Sequence, residues 1–176
     1  MITKNLRALL GALTSNTNYR KSLKLKSEDG TVCLGGGYPG ETSSLGAAWV
    51  NNLGSSTSYS YSDLRVGTGT AEPTADDYCL ESETTALTLV SASATGNYTN
   101  NNLSEGNSAK TIVTTYVNNT TEAVTISEVG YFIEHAQSYN LDGTNGTPRN
   151  FLMAREVIDP VEIGAGETYT FTFVIE

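Results

Sequence analysis

Few side chains in this 176-residue chain are of types that do chemistry, and their spacing decides how far they can go. His135 is the only histidine; it follows Phe132-Ile-Glu134 at the end of an apolar run. No nucleophile or orienting acid can be assigned to it by spacing, so it reads as a strand-end residue. Thr42-Ser-Ser-Leu-Gly46 lacks the first glycine of a nucleophile elbow. Gly67-Thr-Gly-Thr70 is followed by no Gly-Lys-Ser/Thr and opens no helix, which argues against a phosphate loop. Asp76, Asp77, Glu81 and Glu83 are the acid and base types that glycoside hydrolysis uses, but their spacing fixes no separation. They read as a solvated acidic loop. Asn140-Leu-Asp-Gly-Thr-Asn145 loosely resembles a calcium loop, yet it has one carboxylate, and Phe151 stands where the bidentate acid belongs. No Cys/His set has zinc-ligand spacing. The sequence therefore predicts no catalytic residue, no cofactor and no metal.

Two charges stand inside apolar stretches. Glu128 lies in Val124-Thr-Ile-Ser-Glu-Val-Gly-Tyr131, and Arg155 ends Phe151-Leu-Met-Ala-Arg155. A carboxylate buried in such a stretch needs a partner, and long strands can bring these two together. The expectation is a cross-strand Glu128–Arg155 pair serving structure; the alternative is that each points outward. Cys33 and Cys79 are the only cysteines. A bridge requires their Cα atoms within reach, which sequence does not fix; two separate thiols are expected.

The elements that must position these residues are mostly strands. Tyr59 to Val66, Thr85 to Ala94, Lys110 to Val117, Ala123 to Ile133 (with a bend expected at Gly130) and Phe151 to Val157 read as strands between turn signals. Thr31-Val-Cys-Leu34 and Ala47-Ala-Trp-Val50 read as shorter ones. The clearest alternation is the last: Tyr169, Phe171, Phe173 and Ile175 interleave with Thr168, Thr170, Thr172 and Val174. Turn signals every dozen or so residues, without intervening helices, predict a mostly β fold. The expected architecture is an antiparallel β-sandwich, jelly-roll or Ig-like, over residues 27–176. Residues 1–26 are expected to form a short N-terminal helix or arm, in which Leu6, Leu9, Leu10 and Leu13 fall on one stripe behind an N-cap at Thr3. A helix of about three turns is marginal alone, so those leucines must dock on their own domain or on a neighbouring subunit.

Composition narrows the function classes. The chain has 19 acidic and 10 basic residues, a formal charge of −9, which argues against nucleic acid as a partner. No apolar run approaches the ~20 residues a membrane-crossing helix requires. With 38% hydrophobic and 16% charged residues, the chain is too apolar and too weakly charged to be disordered.

Several segments resemble small virion proteins of tailed bacteriophages. They are the start Met-Ile-Thr-Lys-Asn-Leu-Arg-Ala-Leu-Leu10, Arg65-Val-Gly-Thr-Gly-Thr70 with Thr74-Ala-Asp-Asp-Tyr-Cys-Leu-Glu81, Val124 to Tyr131, and Phe151 to Val157 with Gly164 to Phe171. The resemblance covers about half the chain and carries over no catalytic residue. It implies a non-enzymatic β-sandwich subunit in the virion, attached as head decoration or head fibre, at the collar, or in the tail. Its implied partners are other virion proteins (capsid, portal/collar or tail subunits) and further copies of itself. On this reading Leu6, Leu9, Leu10 and Leu13 form the candidate inter-subunit contact. A second reading is a carbohydrate- or host-receptor-binding module, in which exposed tyrosines among Tyr38, Tyr59, Tyr61, Tyr98, Tyr116, Tyr131 and Tyr139 would stack on a host surface glycan.

Overall fold

The computed structural model describes residues 1–8, 24–34, 60–95, 110–135, 141 and 147–175. Within them the chain is mostly β, with antiparallel sheets and a short helix, α1, at residues 4–8. The strands are β1 (Lys24–Lys26), β2 (Val32–Leu34), β3 (Ser60–Gly67), β4 (Leu87–Thr95), β5 (Lys110–Asn118), β6 (Val124–His135), β7 (Arg149–Ile163) and β8 (Thr168–Ile175). They form a β1-β2 ribbon and two three-stranded sheets, ordered β3-β6-β7 and β4-β5-β8. The expected strand at Ala47–Val50 lies outside the described residues.

Alternation explains how the two larger sheets share a core. Leu64 and Val66 of β3, Tyr131 and Ile133 of β6, and Phe151 of β7 face one side of their sheet. They join Ile112 and Tyr116 of β5 and Phe171 and Phe173 of β8 in a single buried cluster. The Tyr116 hydroxyl crosses between sheets to donate to the Leu64 carbonyl at 2.5 Å. Each large side chain buried there contributes about 1.5–3 kcal/mol relative to exposure.

β7 departs from the sequence reading in two places. It runs on past Val157, where the strand read from sequence ends, through Pro160 to Ile163. The register with β6 shifts between Ile126 and Glu128, so Val161 pairs with Ile126 and Val157 with Glu128. The intervening residues, Pro160 among them, are taken out of the ladder, so the missing proline N–H breaks no bond there. A second shift follows from an extra residue at Met153, between the pairs Tyr131–Ala154 and Phe132–Leu152. Gly130 itself pairs regularly with Arg155, directly before the second shift. Gly130 also makes room: a Cβ there would meet Leu80 Cδ2 at 2.7 Å.

The N-terminal residues bind the outer edge of β7 at this bulge. Thr3 N–H donates to the Met153 carbonyl and Arg155 N–H to the Met1 carbonyl, each at 3.0 Å. The Thr3 hydroxyl donates to the Leu152 and Met153 carbonyls. Its cap contact with the Leu6 N–H is correspondingly long, 3.5 Å. The Asn5 amide donates to the Lys26 and Leu152 carbonyls and accepts the Lys26 N–H, joining α1 to β1. Leu6 is buried in this chain's own core. Of the proposed inter-subunit stripe, Leu6 is therefore spent within the chain, while Leu9, Leu10 and Leu13 lie outside the described residues.

Candidate functional site

The Met153 bulge sets the side-chain phase that builds the principal charged site. Without the extra residue, strict alternation from Leu152 would put Ala154 on the outer face and Arg155 in the core. With it, Leu152 and Arg155 share the outer face with Phe132, Gly130 and Glu128 of β6. Arg155 sits opposite Gly130, one diagonal step from Glu128.

Glu128 and Arg155 meet there. Arg155 Nε donates to Glu128 Oε2 at 2.7 Å, with the Glu128 side chain fully buried and that of Arg155 3% exposed. Three backbone N–H groups complete the carboxylate's shell. Gly69 and Ser82 donate to Oε1 at 3.1 and 2.7 Å, and Glu81 donates to Oε2 at 3.1 Å. The other end of the guanidinium reaches Asp77 Oδ2 at 2.9 Å and Glu81 Oε2 at 3.5 Å. Asp77 is itself held by the Thr74 N–H and hydroxyl, and Glu81 by the Ala71 N–H.

The donors and carboxylates around this pair come from residues 68–86, the connection from β3 to β4. That segment lies over the outer face of β3-β6-β7, with Leu80 packed on Phe132 and Leu152. It is tied at its ends by Thr68 N–H to the Ser82 carbonyl and Thr84 N–H to the Val66 carbonyl. Gly67 and Gly69 are glycines because the backbone passes against the carboxylate. A Cβ on either would lie 2.5 Å from Glu128 Oε1. The Gly-Thr-Gly turn thus cradles the protein's own carboxylate.

Electrostatics follow from this geometry. Burial pushes the Glu128 pKa up, but the Ser82 N–H, Arg155 and the Glu81 N–H outweigh it and hold the group below its ordinary value. For Asp77, burial again opposes, and Thr74 and Arg155 prevail to lower it. Burial together with the nearby Asp77 charge raises the Cys79 thiol, which disfavours the nucleophilic thiolate. Cys33 and Cys79 are not bridged to each other. At neutral pH the site is an ionised, hydrogen-bonded cluster whose groups hold one another, and its chemistry is adhesion of the covering segment to the sheet.

The acidic residues divide differently from the solvated loop expected. Asp77 and Glu81 bind Arg155, whereas the exposed Asp76 pairs with Lys4 and Glu83 lies 3.8 Å from Arg65. A second charged group joins the β1-β2 turn to the same sheet. Glu28 accepts from Arg65 Nη1 and Asn150 Nδ2, each at 2.6 Å, and Arg65 stacks on Phe132 at 4.5 Å. Asp29 accepts from the Ser27 hydroxyl, the Thr31 N–H and Arg149, which hold it far below the ordinary carboxylate range.

Sequence reasoning pairs Glu128 with Arg155 but does not join Asp77, Glu81 or the glycine cradle to them. The Gly67/Gly69 pair is the available signal: glycines at that spacing beside a strand mark close approach of the backbone to something. Of the tyrosines proposed to stack on sugars, Tyr116 and Tyr131 are buried. The side chains of Tyr38, Tyr59, Tyr61, Tyr98 and Tyr139 lie outside the described residues, as do that of His135 and most of Asn140–Asn145. Among the described residues, no group of three or more His, Cys, Asp or Glu is arranged to hold a metal ion. No helix among them is long and apolar enough to cross a membrane. No family model, curated protein or solved structure matches the chain.

Proposed function

We propose that this chain is a structural subunit of a tailed-bacteriophage virion, attached by protein–protein contacts to the head surface, neck or tail and stabilising or decorating the particle. The observation that carries the non-catalytic part of this reading is the saturation of the Glu128–Arg155 cluster. Its central carboxylate accepts four hydrogen bonds, three from backbone amides. A general acid or base must exchange a proton with substrate, and a carboxylate so engaged and held ionised is committed to structure. The two sheets sharing one core are compatible with the sandwich that the phage resemblance implies. The virion assignment itself rests on that resemblance in the N-terminal, Arg65–Glu81, Val124–Tyr131 and Phe151–Phe171 segments.

A binding assay tests the reading. Particles grown without a functional copy of this gene are mixed with the purified chain and sedimented through sucrose. The reading expects saturable co-sedimentation at a fixed stoichiometry. Recovery of all the chain in the supernatant, with particles that assemble and infect normally, would overturn it.

A further inference from the structure

We infer that the free edge of β8 pairs with β8 of a second copy of this chain, joining two β4-β5-β8 sheets across a two-fold axis. Among the described residues β8 is the last strand of its sheet, with β5 on one side only. The ladder phase shows which backbone groups are left over. Asn118 N–H donates to the Glu167 carbonyl, so the pairs Tyr116–Tyr169, Thr114–Phe171 and Ile112–Phe173 are the hydrogen-bonded ones. The N–H and C=O groups of Thr168, Thr170, Thr172 and Val174 therefore point away from β5, along the open edge. Their side chains are exposed on the outer sheet face.

Such an edge pairs with other strands unless something blocks it. Two other sheet edges are interrupted among the described residues. The outer edge of β7 is occupied by residues 1–3 at Met153–Arg155, and further along it carries exposed Glu156, Asp159, Pro160 and Glu162. The other edge of the β8 sheet, β4, is broken by a register shift between Leu89 and Ser91. β8 has no proline, no register shift and no charge.

Charge selects a second copy as the occupant. The chain carries −9, yet Lys110 is the only charged residue in β4, β5 and β8. Along these strands two copies oppose no carboxylates, the nearest being Glu167 and Glu176 just beyond the ends of β8, whereas β7 would oppose several. The edge also offers no charge to select an acidic or basic partner. An antiparallel strand is self-complementary under a two-fold axis, and an isologous contact closes at two subunits. Pairing Thr170 with Thr172 of the second copy overlaps the full strand and forms about eight backbone hydrogen bonds. This inference does not rest on the virion reading, since the pairing needs no particle.

Sedimentation velocity on the full chain at about 100 µM, chosen because a strand-edge contact is at the small end of specific interfaces, tests the pairing. Wild type is expected to sediment as a dimer with little dependence on salt. Thr170→Lys places a cation on the edge, and Thr172→Pro removes an outward N–H without touching the β5 ladder. Each is expected to give monomer, at least tenfold weaker in association, with an unchanged far-ultraviolet spectrum. Ser91→Lys, the same charge on the β4 edge, is expected to remain dimeric. A monomeric wild type, a dimeric Thr170→Lys, or dissociation by Ser91→Lys would each overturn the inference. Should Thr172→Pro unfold, Thr170→Lys alone still decides whether the β8 edge holds the dimer.

Discussion

Replacing Arg155 with methionine is expected to destabilise the fold by about 3–5 kcal/mol, the cost typical of leaving a buried charge without its partner. The substitution keeps most of the side-chain length while removing the Nε–H bond to Glu128 and the contacts to Asp77 and Glu81. Glu128 stays fully buried and keeps three amide donors, so it remains solvated in part by backbone but loses its counter-charge. For a chain of this length each kcal/mol moves the melting temperature by about 2–4 °C, so a fall of about 6–20 °C is predicted. Urea titration followed by circular dichroism reads the change as a lower midpoint at constant slope. The double variant Arg155→Met/Glu128→Leu is expected to recover part of the loss because the fully buried charge is gone, although the partly exposed Asp77 still lacks Arg155. Recovery stays incomplete, since the Gly69, Glu81 and Ser82 amides then lack an acceptor, at about 1 kcal/mol or more apiece. A loss below about 1 kcal/mol for Arg155→Met would refute the claim that this pair anchors the covering segment, because it would match an exposed ion pair.

Acid should loosen the same segment. The folded Glu128 and Asp77 lie below their ordinary values, so their stabilisation is complete above the unfolded carboxylate range and is lost as pH falls through the folded values. Urea midpoints measured from pH 7 to pH 2 should therefore fall below about pH 4, and less steeply in Glu128→Gln. Gly69→Ala pushes a methyl into Glu128 Oε1 and Glu81 Cβ, at 2.5 and 2.6 Å, and should cost about 1–3 kcal/mol in the same titration. Thr114→Val should raise stability by about 1 kcal/mol, because the Thr114 hydroxyl is buried without a hydrogen-bond partner and valine keeps its shape.

How much of this is legible in the sequence depends on whether local pattern or distant contact decides each feature. β8 is readable because large apolar residues and threonines alternate without interruption. Glu128 and Arg155 are readable as a pair because each is a charge within apolar neighbours. The bulge that aims Arg155 outward is not: Phe151-Leu-Met-Ala154 is apolar throughout, so an inserted residue leaves no break in any period. β1 leaves little trace because Lys24-Leu-Lys26 offers one apolar residue between two charges, and its place comes from Asn5 and β2. Asp77 and Glu81 read as solvated acids because their partner lies more than 70 residues away in sequence. The strand read as ending at Val157 continues to Ile163 because sequence does not reveal that Pro160 sits outside the ladder.

The most direct test of the central claim is a cryo-electron microscopy map of purified particles carrying this gene. The account predicts density for this chain at symmetry-related positions on the head, neck or tail, with its sheets meeting neighbouring subunits and the Glu128–Arg155 cluster enclosed within each copy. Particles lacking that density, together with a chain that opens this cluster onto a bound substrate, would contradict it.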